Sequence, residues 1–303
     1  MARTAKGAGL AIVAVLAAVV AGAATHPTAP AVAEPVVTPT PTATPSAPPQ
    51  RAPVPASTIS NDPTLVPIKN GLYKAGRVPT VSCKVPNKLV RTRAGLLAYA
   101  KVMVACMQRA WEPLVLRSTG YHLPTPRIDT YLEGKAPAGQ LCGNPPKNTD
   151  AFYRSSGNVI CFEWREYADP DQDPVWNLID FQEMLAHEYG HHLQDTVDIL
   201  RTYIFAHPNG SEAVLLEDER RLELQASCLG AAFLGAHKRS LRLTGGRLDL
   251  WEEMVKHTGD EYNPDKVRDH GSRKNHGYWS LRAFASTNPA SCNTFAAPAK
   301  RVS

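Results

Sequence analysis

The sequence predicts an α+β domain, mainly helical with a small β-sheet, behind a disordered Pro/Thr-rich tether. Three observations predict this. Twelve of the 26 prolines fall between His26 and Pro67, so a packed core must lie beyond them. Two long segments repeat apolar side chains every three or four residues, the mark of helices with one buried stripe. Two short β-branched or aromatic runs lie between turn-forming residues, as strands do.

Of the 303 residues, about 235 follow the proline-rich stretch, a length suited to one domain. The composition, 43% hydrophobic and 20% charged, excludes a collagen, a coiled coil and a wholly disordered chain. Of the formal net charge of +5, Arg3 and Lys6 supply two. No Lys/Arg-rich block follows, which argues against nucleic acid as a partner.

In chain order, Met1–Lys6 carries those two cations, and Gly7–Ala24 is an uncharged run of small and aliphatic residues. Residues 1–33 therefore read as a secretory signal, cut after Ala21-Gly22-Ala23 or Ala31-Val32-Ala33. Left uncut, the run is just long enough to anchor the chain in a bilayer, and that is the one membrane contact expected. Residues 34–69 form the linker. Its Pro, Thr and Ala bury too little apolar area to offset ordering entropy, so it extends on the order of 100 Å at about 3.1 Å per residue. The domain, residues 70–303, is then secreted or extracytoplasmic, held at the membrane or within a cell wall, and is expected to be a monomer.

The domain carries all six cysteines, Cys83, Cys106, Cys142, Cys161, Cys228 and Cys292. An even number in an exported chain favours three disulfides. The pairing expected, among the 15 that six cysteines allow, joins Cys83 to Cys106, Cys142 to Cys161 and Cys228 to Cys292. A cysteine-ligated zinc needs close pairs such as C-x-x-C, which are absent.

Arg93–Trp111 spaces Leu96, Leu97, Ala100, Val104, Met107 and Trp111 as a helix, and Pro113 is expected to end it. Ile128–Leu132 and Asn158–Trp164 read as strands, with a Gly/Pro/Asn loop from Gly139 to Asp150 between them. Asp173-Pro174 suits a helix start, and the stripe that follows runs from Leu178 through Leu185, Tyr189, Leu193 and Val197 to Leu200. Pro208-Asn209-Gly210 turns the chain, Ser211 can cap the next helix, and that helix runs from Glu212 to about His237. Shorter helices are expected over Asp249–His257 and Lys274–Ser286.

The chemistry lies in His187-Glu188-Tyr189-Gly190-His191, an H-E-x-x-H string within the first long stripe. Four helical residues turn the chain by about 400°, so both imidazoles leave one face a turn apart and can grip one zinc ion. Glu188 lies about 100° round from His187, where its carboxylate reaches a water at the metal without being a ligand. Two histidines do not hold a catalytic zinc, so a third ligand is needed. The metzincin pattern would place Gly at 194 and His at 197, but Gln194 and Val197 stand there. The following helix offers Glu217, Glu219 and Glu223. A Glu from a neighbouring helix is the gluzincin arrangement, and spacing leaves Glu219 and Glu223 as equal candidates.

Four segments together resemble the bacterial neutral zinc metallopeptidases: Ala186-His187-Glu188-Tyr189-Gly190-His191-His192-Leu193-Gln194, Glu223-Leu224-Gln225-Ala226-Ser227-Cys228, Asp269-His270-Gly271-Ser272 and Cys292-Asn293-Thr294-Phe295. Cys142-Gly143 followed by Phe152-Tyr153 adds a weaker match. The resemblance implies a minimal gluzincin, zincin-like fold, a single Zn2+ with Glu223 as its third ligand, and hydrolysis of peptide bonds in a peptide or protein substrate.

Two positions depart from the family pattern. Ser227 stands where the family has an aspartate that orients the first histidine. A hydroxyl accepts from a ring N–H but brings no charge, and losing such a partner costs about 10- to 100-fold in metal affinity or activity. Arg154 stands where the family has a cysteine, leaving Cys161 to pair with Cys142.

The mechanism expected has zinc on His187, His191 and Glu223, Glu188 as general base toward water, and His270 as donor to the developing oxyanion, with Tyr278 and His276 as alternatives. Phe152-Tyr153 is either the start of an edge strand that pairs with substrate or a pair of core aromatics. The competing reading is an inactive relative that binds a peptide or wall component in the same groove.

Overall fold

Thr92 opens the first long helix, its Oγ accepting from the Gly95 N–H at 3.1 Å and satisfying one of the donors that a helix start leaves open. The computed structural model describes residues 62–132, 141–145, 148–262 and 267–303. In chain order these form helix α1 (Arg93–Thr119), strands β1 (Arg127–Tyr131), β2 (Ala151–Arg154) and β3 (Val159–Glu163), and helices α2 (Trp164–Ala168), α3 (Pro174–Thr196), α4 (Ile199–Ala206), α5 (Glu212–Ala236), α6 (Gly246–His257) and α7 (Arg273–Ser286). A 3-10 turn at Pro289–Cys292 follows. The architecture is α+β and mainly helical, with one small sheet. The expected signal segment and most of the tether lie outside the described residues. Near the tether's end, the Ile68 carbonyl accepts from Asn293 Nδ2 at 2.9 Å. No helix among the described residues is long and apolar enough to cross a membrane.

The sheet has the order β1-β3-β2. Wholly buried β3 lies in the middle, parallel to β1 with Ile128 opposite Ile160 and antiparallel to β2 with Phe152 opposite Cys161. β2 packs on α3. Asp173 caps α3 as expected, its Oδ1 accepting from Val175 N at 2.9 Å and Trp176 N at 2.8 Å, with Pro174 in the first turn.

Three expectations are corrected. α1 does not end at Pro113 but runs through it to Thr119. An interior proline removes one helical hydrogen bond, but Leu114 and Val115 are buried just beyond it, and that burial outweighs the loss. The helix closes instead at Gly120, whose φ of 74° no β-carbon obstructs. The stripe read as unbroken to Leu200 divides in two, because Asp198 takes a left-handed conformation, φ 65°, between α3 and α4. Aspartate tolerates that region better than most residues. Ser211 stands at the start of α5, but its side chain makes no capping hydrogen bond.

The three disulfides pair as expected. Cys83–Cys106, with Cα atoms 5.5 Å apart, fastens the segment before α1 onto that helix. Cys142–Cys161, at 5.7 Å, ties the loop after β1 to β3. Cys228–Cys292, at 5.5 Å, ties α5 to the 3-10 turn.

α5 is the central helix, packed on α3 on one side and α7 on the other, and α6 packs on both α3 and α7. The α3 and α5 backbones meet where Gly190 lies against Ala226 and Gly230 against Ala186. The two pairs run in opposite senses along the chain, so the helices are antiparallel.

Candidate metal centre

Helix geometry brings His187 and His191 together, with Nε2 atoms 2.9 Å apart. The antiparallel α5 then presents Glu223, whose Oε2 lies 3.2 Å from His187 Nε2 and 3.3 Å from His191 Nε2. Spacing left Glu219 and Glu223 equal, and packing separates them. Glu219 is one turn earlier on α5 and outside this group, its carboxyl pushed up to about 7 by burial and by the neighbouring Glu223 charge. Glu217 pairs with Arg221 at 2.6 Å. The ligand atoms of His187, His191 and Glu223 all lie within 4.8 Å of one another, a group able to hold a metal ion.

Hydrogen bonding around the group determines where the protons sit. Gln194 Nε2 donates to the Leu222 carbonyl at 2.8 Å and to Gln225 Oε1 at 3.0 Å, which leaves Gln194 Oε1 as an acceptor. His191 Nδ1, 2.9 Å from that oxygen, must therefore carry a proton and donate it. His187 Nδ1 lies 2.8 Å from Ser227 Oγ, a hydroxyl able to accept from it as the Gln194 oxygen does from His191. In a neutral ring a proton on Nδ1 leaves Nε2 with its lone pair. Two lone pairs and a carboxylate then face one another at 2.9 to 3.3 Å in a buried site. Such a set repels itself unless a cation lies between the three atoms, so the residues present fit zinc.

The electrostatics follow from burial and mutual charge. Burial opposes ionisation of Glu223, but His191 and His270 outweigh it and hold the carboxyl well below the usual range. Burial pushes His187 down to about 4. In His191 burial acts the same way, but Glu223 overrides it and the net shift is upward. Glu188 is fully buried, its two oxygens have no hydrogen-bond partner, and burial pushes its carboxyl up to about 8.

His270 lies across from the imidazole pair, its Nε2 3.7 Å from Glu223 Oε2 and buried without a hydrogen-bond partner. Asp269 Oδ1 takes the Nδ1 proton at 2.6 Å. Asp260 holds the loop by accepting from the His270 and Gly271 backbone N–H groups at 2.9 and 2.8 Å. Burial disfavours the charged ring, yet Glu223 and Asp269 outweigh it and raise His270 to about 9. Asp260, Asp269 and His270 also bring ligand atoms within 4.8 Å of one another, but both carboxylates are committed to this loop. In Cys83, Cys106 and His237, another such group, the sulfurs are joined to each other.

The alternative oxyanion donors lie elsewhere. His276 is behind Ser227, with its Nε2 3.2 Å from Ser227 Oγ, and Tyr278 lies under the Arg301 guanidinium, 4.1 Å from its carbon. Phe152 and Tyr153 belong to β2 but are buried. Phe152 packs on Tyr131, and Tyr153 OH donates to Asp195 Oδ2 at 2.9 Å. Gln194, the partner of His191, was missed. Its place three residues after His191, on the same helix face, was signal enough to find it.

An H-E-x-x-H helix crossed by an antiparallel helix that brings a glutamate to both imidazoles defines the gluzincin arrangement. The chain belongs to the family described as "Putative neutral zinc metallopeptidase", whose profile matches residues 96–295. It is 25% identical over 208 residues to the proteins named "Uncharacterized protein YpfJ" from Escherichia coli K12 and from E. coli O6:H1 strain CFT073, a match covering 65% of this chain and 70% of each relative. No solved structure matches.

Proposed function

We propose that this chain is an exported zinc metallopeptidase that holds a single Zn2+ between His187, His191 and Glu223 and hydrolyses peptide bonds in a peptide or protein substrate. The observation that supports it best is the convergence of three lone-pair atoms beside Glu188, a buried carboxylate without a partner. Zinc bound there supplies Lewis acidity, polarising a carbonyl and lowering the pKa of water. Glu188 follows His187 on the same helix, with its carboxyl tuned toward neutrality by burial. In its ionised form it takes the proton of the attacking water and returns it to the leaving amine. His270 Nε2 donates to the oxygen on which charge develops, while Asp269 holds the opposite edge of the ring. Three disulfides suit an oxidising compartment and support export.

One observation favours a second reading, a relative that holds zinc and binds peptide without cleaving it. His187 is 7% exposed and Glu188, His191 and Glu223 are 2% or less, so a substrate carbonyl has little direct access. Metal analysis of the purified protein, together with cleavage of an unfolded protein substrate, separates the two. Bound zinc with cleavage that vanishes in Glu188→Ala supports the peptidase. Zinc without turnover supports the binder, and a chain that takes up no zinc removes both.

A further inference from the structure

Ser227 does not face His187 alone. Its Oγ lies 2.8 Å from His187 Nδ1 and 3.2 Å from His276 Nε2. His276, on α7, is buried, and its Nδ1 lies 2.9 Å from the Val255 carbonyl of α6. These contacts form a chain whose proton positions follow from its fixed end. A carbonyl only accepts, so His276 Nδ1 carries a proton and donates it to Val255. Burial disfavours a charge on this ring and pushes its pKa down to about 4, so the imidazole is neutral. Its Nε2 then has a lone pair and accepts the Ser227 hydroxyl proton. The hydroxyl oxygen, its own proton committed, accepts from His187 Nδ1, and His187 Nε2 is left with its lone pair toward Glu223.

We propose that His276 is a positioning residue for the metal centre, acting through Ser227 to hold His187 in the tautomer that presents a bare Nε2 to the cation. A hydroxyl by itself is ambiguous, since it can donate to His187 Nδ1 as readily as accept, and donation would place the ring proton on Nε2 and block coordination. His276 removes the ambiguity by taking up the hydroxyl proton. A neutral serine–histidine pair thus does what a single carboxylate, which only accepts, would do. Three helices supply the parts, α5 the serine, α7 the imidazole and α6 the terminal carbonyl.

The proposal rests on the zinc reading of His187, His191 and Glu223, and the two are tested separately. In the full chain labelled with 15N-histidine, long-range 1H–15N correlation reads which ring nitrogen of His276 and of His187 is protonated. Chelator competition reads zinc affinity, and thermal unfolding of the metal-free chain reports folding. The expected result is Nδ1–H for both rings in the unsubstituted chain. His276→Leu is expected to weaken zinc binding about 10- to 100-fold, the usual effect of losing an outer partner of a ligand, with His276→Gln, whose amide oxygen can accept from Ser227, restoring most of it. His276→Leu combined with Ser227→Ala should bind no more weakly than Ser227→Ala alone, because the two act in series. An Nε2–H ring at His276, unchanged affinity in a folded His276→Leu chain, or losses that multiply in the double variant would overturn it. Should His276→Leu fail to fold, the tautomer of the unsubstituted chain decides. A chain that binds no zinc defeats the zinc reading, while the His276 ring still reports on the relay.

Discussion

Gly190 and Ala226 touch backbone to backbone: a β-carbon at Gly190 would stand 2.4 Å from the Ala226 carbonyl oxygen. The contact lies between His187 and His191 on α3 and three residues past Glu223 on α5. It sets the distance at which the carboxylate meets the imidazoles. Gly190→Ala is therefore expected to push the helices apart, costing about 1–3 kcal/mol of stability as overpacking does and weakening metal binding. Urea unfolding and a zinc titration on the same variant measure both. Full stability together with full affinity would show that the close approach is not what positions Glu223.

Glu219 and Glu223 share a face of α5, yet only Glu223 reaches the imidazoles. Glu223→Gln should lose zinc by more than the 10- to 100-fold typical of an outer partner, whereas Glu219→Gln should keep it. Glu188→Gln should retain metal and lose about 10²- to 10⁴-fold in turnover, the usual worth of a general base. Metal content by elemental analysis and initial rates on an unfolded protein distinguish the three. The reverse order for the two α5 glutamates would transfer the ligand role to Glu219.

Away from the metal centre, burial raises Asp180 and Glu183 to about 7, and the Trp251 indole N–H donates to Glu183 Oε2 at 2.5 Å. The folded chain therefore keeps protons that an unfolded chain releases near pH 4. Stability from these groups is fully present below that pH and is lost as pH rises through 7. Glu183→Gln keeps an acceptor for the indole and removes the buried charge. It should raise stability at pH 8 by no more than about 1–2 kcal/mol, because both residues are only half-buried, and the unfolding temperature with it, and leave both unchanged at pH 4. Thermal scans at the two pH values check the sign.

Cys228 and Cys292 are 64 residues apart in sequence and join α5 to the 3-10 turn. Closing a loop of that length restricts the unfolded chain by about 4 kcal/mol on the chain-entropy account. Gln225, whose Nε2 donates to the Cys292 carbonyl at 3.1 Å, accepts from Gln194, the partner of His191. Cys292→Ala should thus lower both the unfolding midpoint and zinc affinity, readable in one denaturant series with and without metal. A loss of stability with unchanged affinity would confine the bridge to a structural role.

What could be read from residue order was whatever covalent geometry repeats locally. Two histidines four apart share a helix face in any helix, so His187, Glu188 and His191 could be assigned roles before their surroundings were known. The cap at Asp173, the α5 stripe and the oxidising cysteine set are similarly local or compositional. Pro113 and Asp198 misled in opposite directions because distant burial overrode one local preference and a left-handed residue interrupted a continuous pattern. Spacing left Glu219 and Glu223 equal, the family resemblance named Glu223, and the tertiary structure brings that residue to the imidazoles; only the tertiary structure decided that His276, 49 residues beyond Ser227, completes the chain to His187. Periodicity specifies which face a residue occupies but not which other helix covers it. That choice depends on how closely backbones can approach, and here two glycines on facing helices allow the approach.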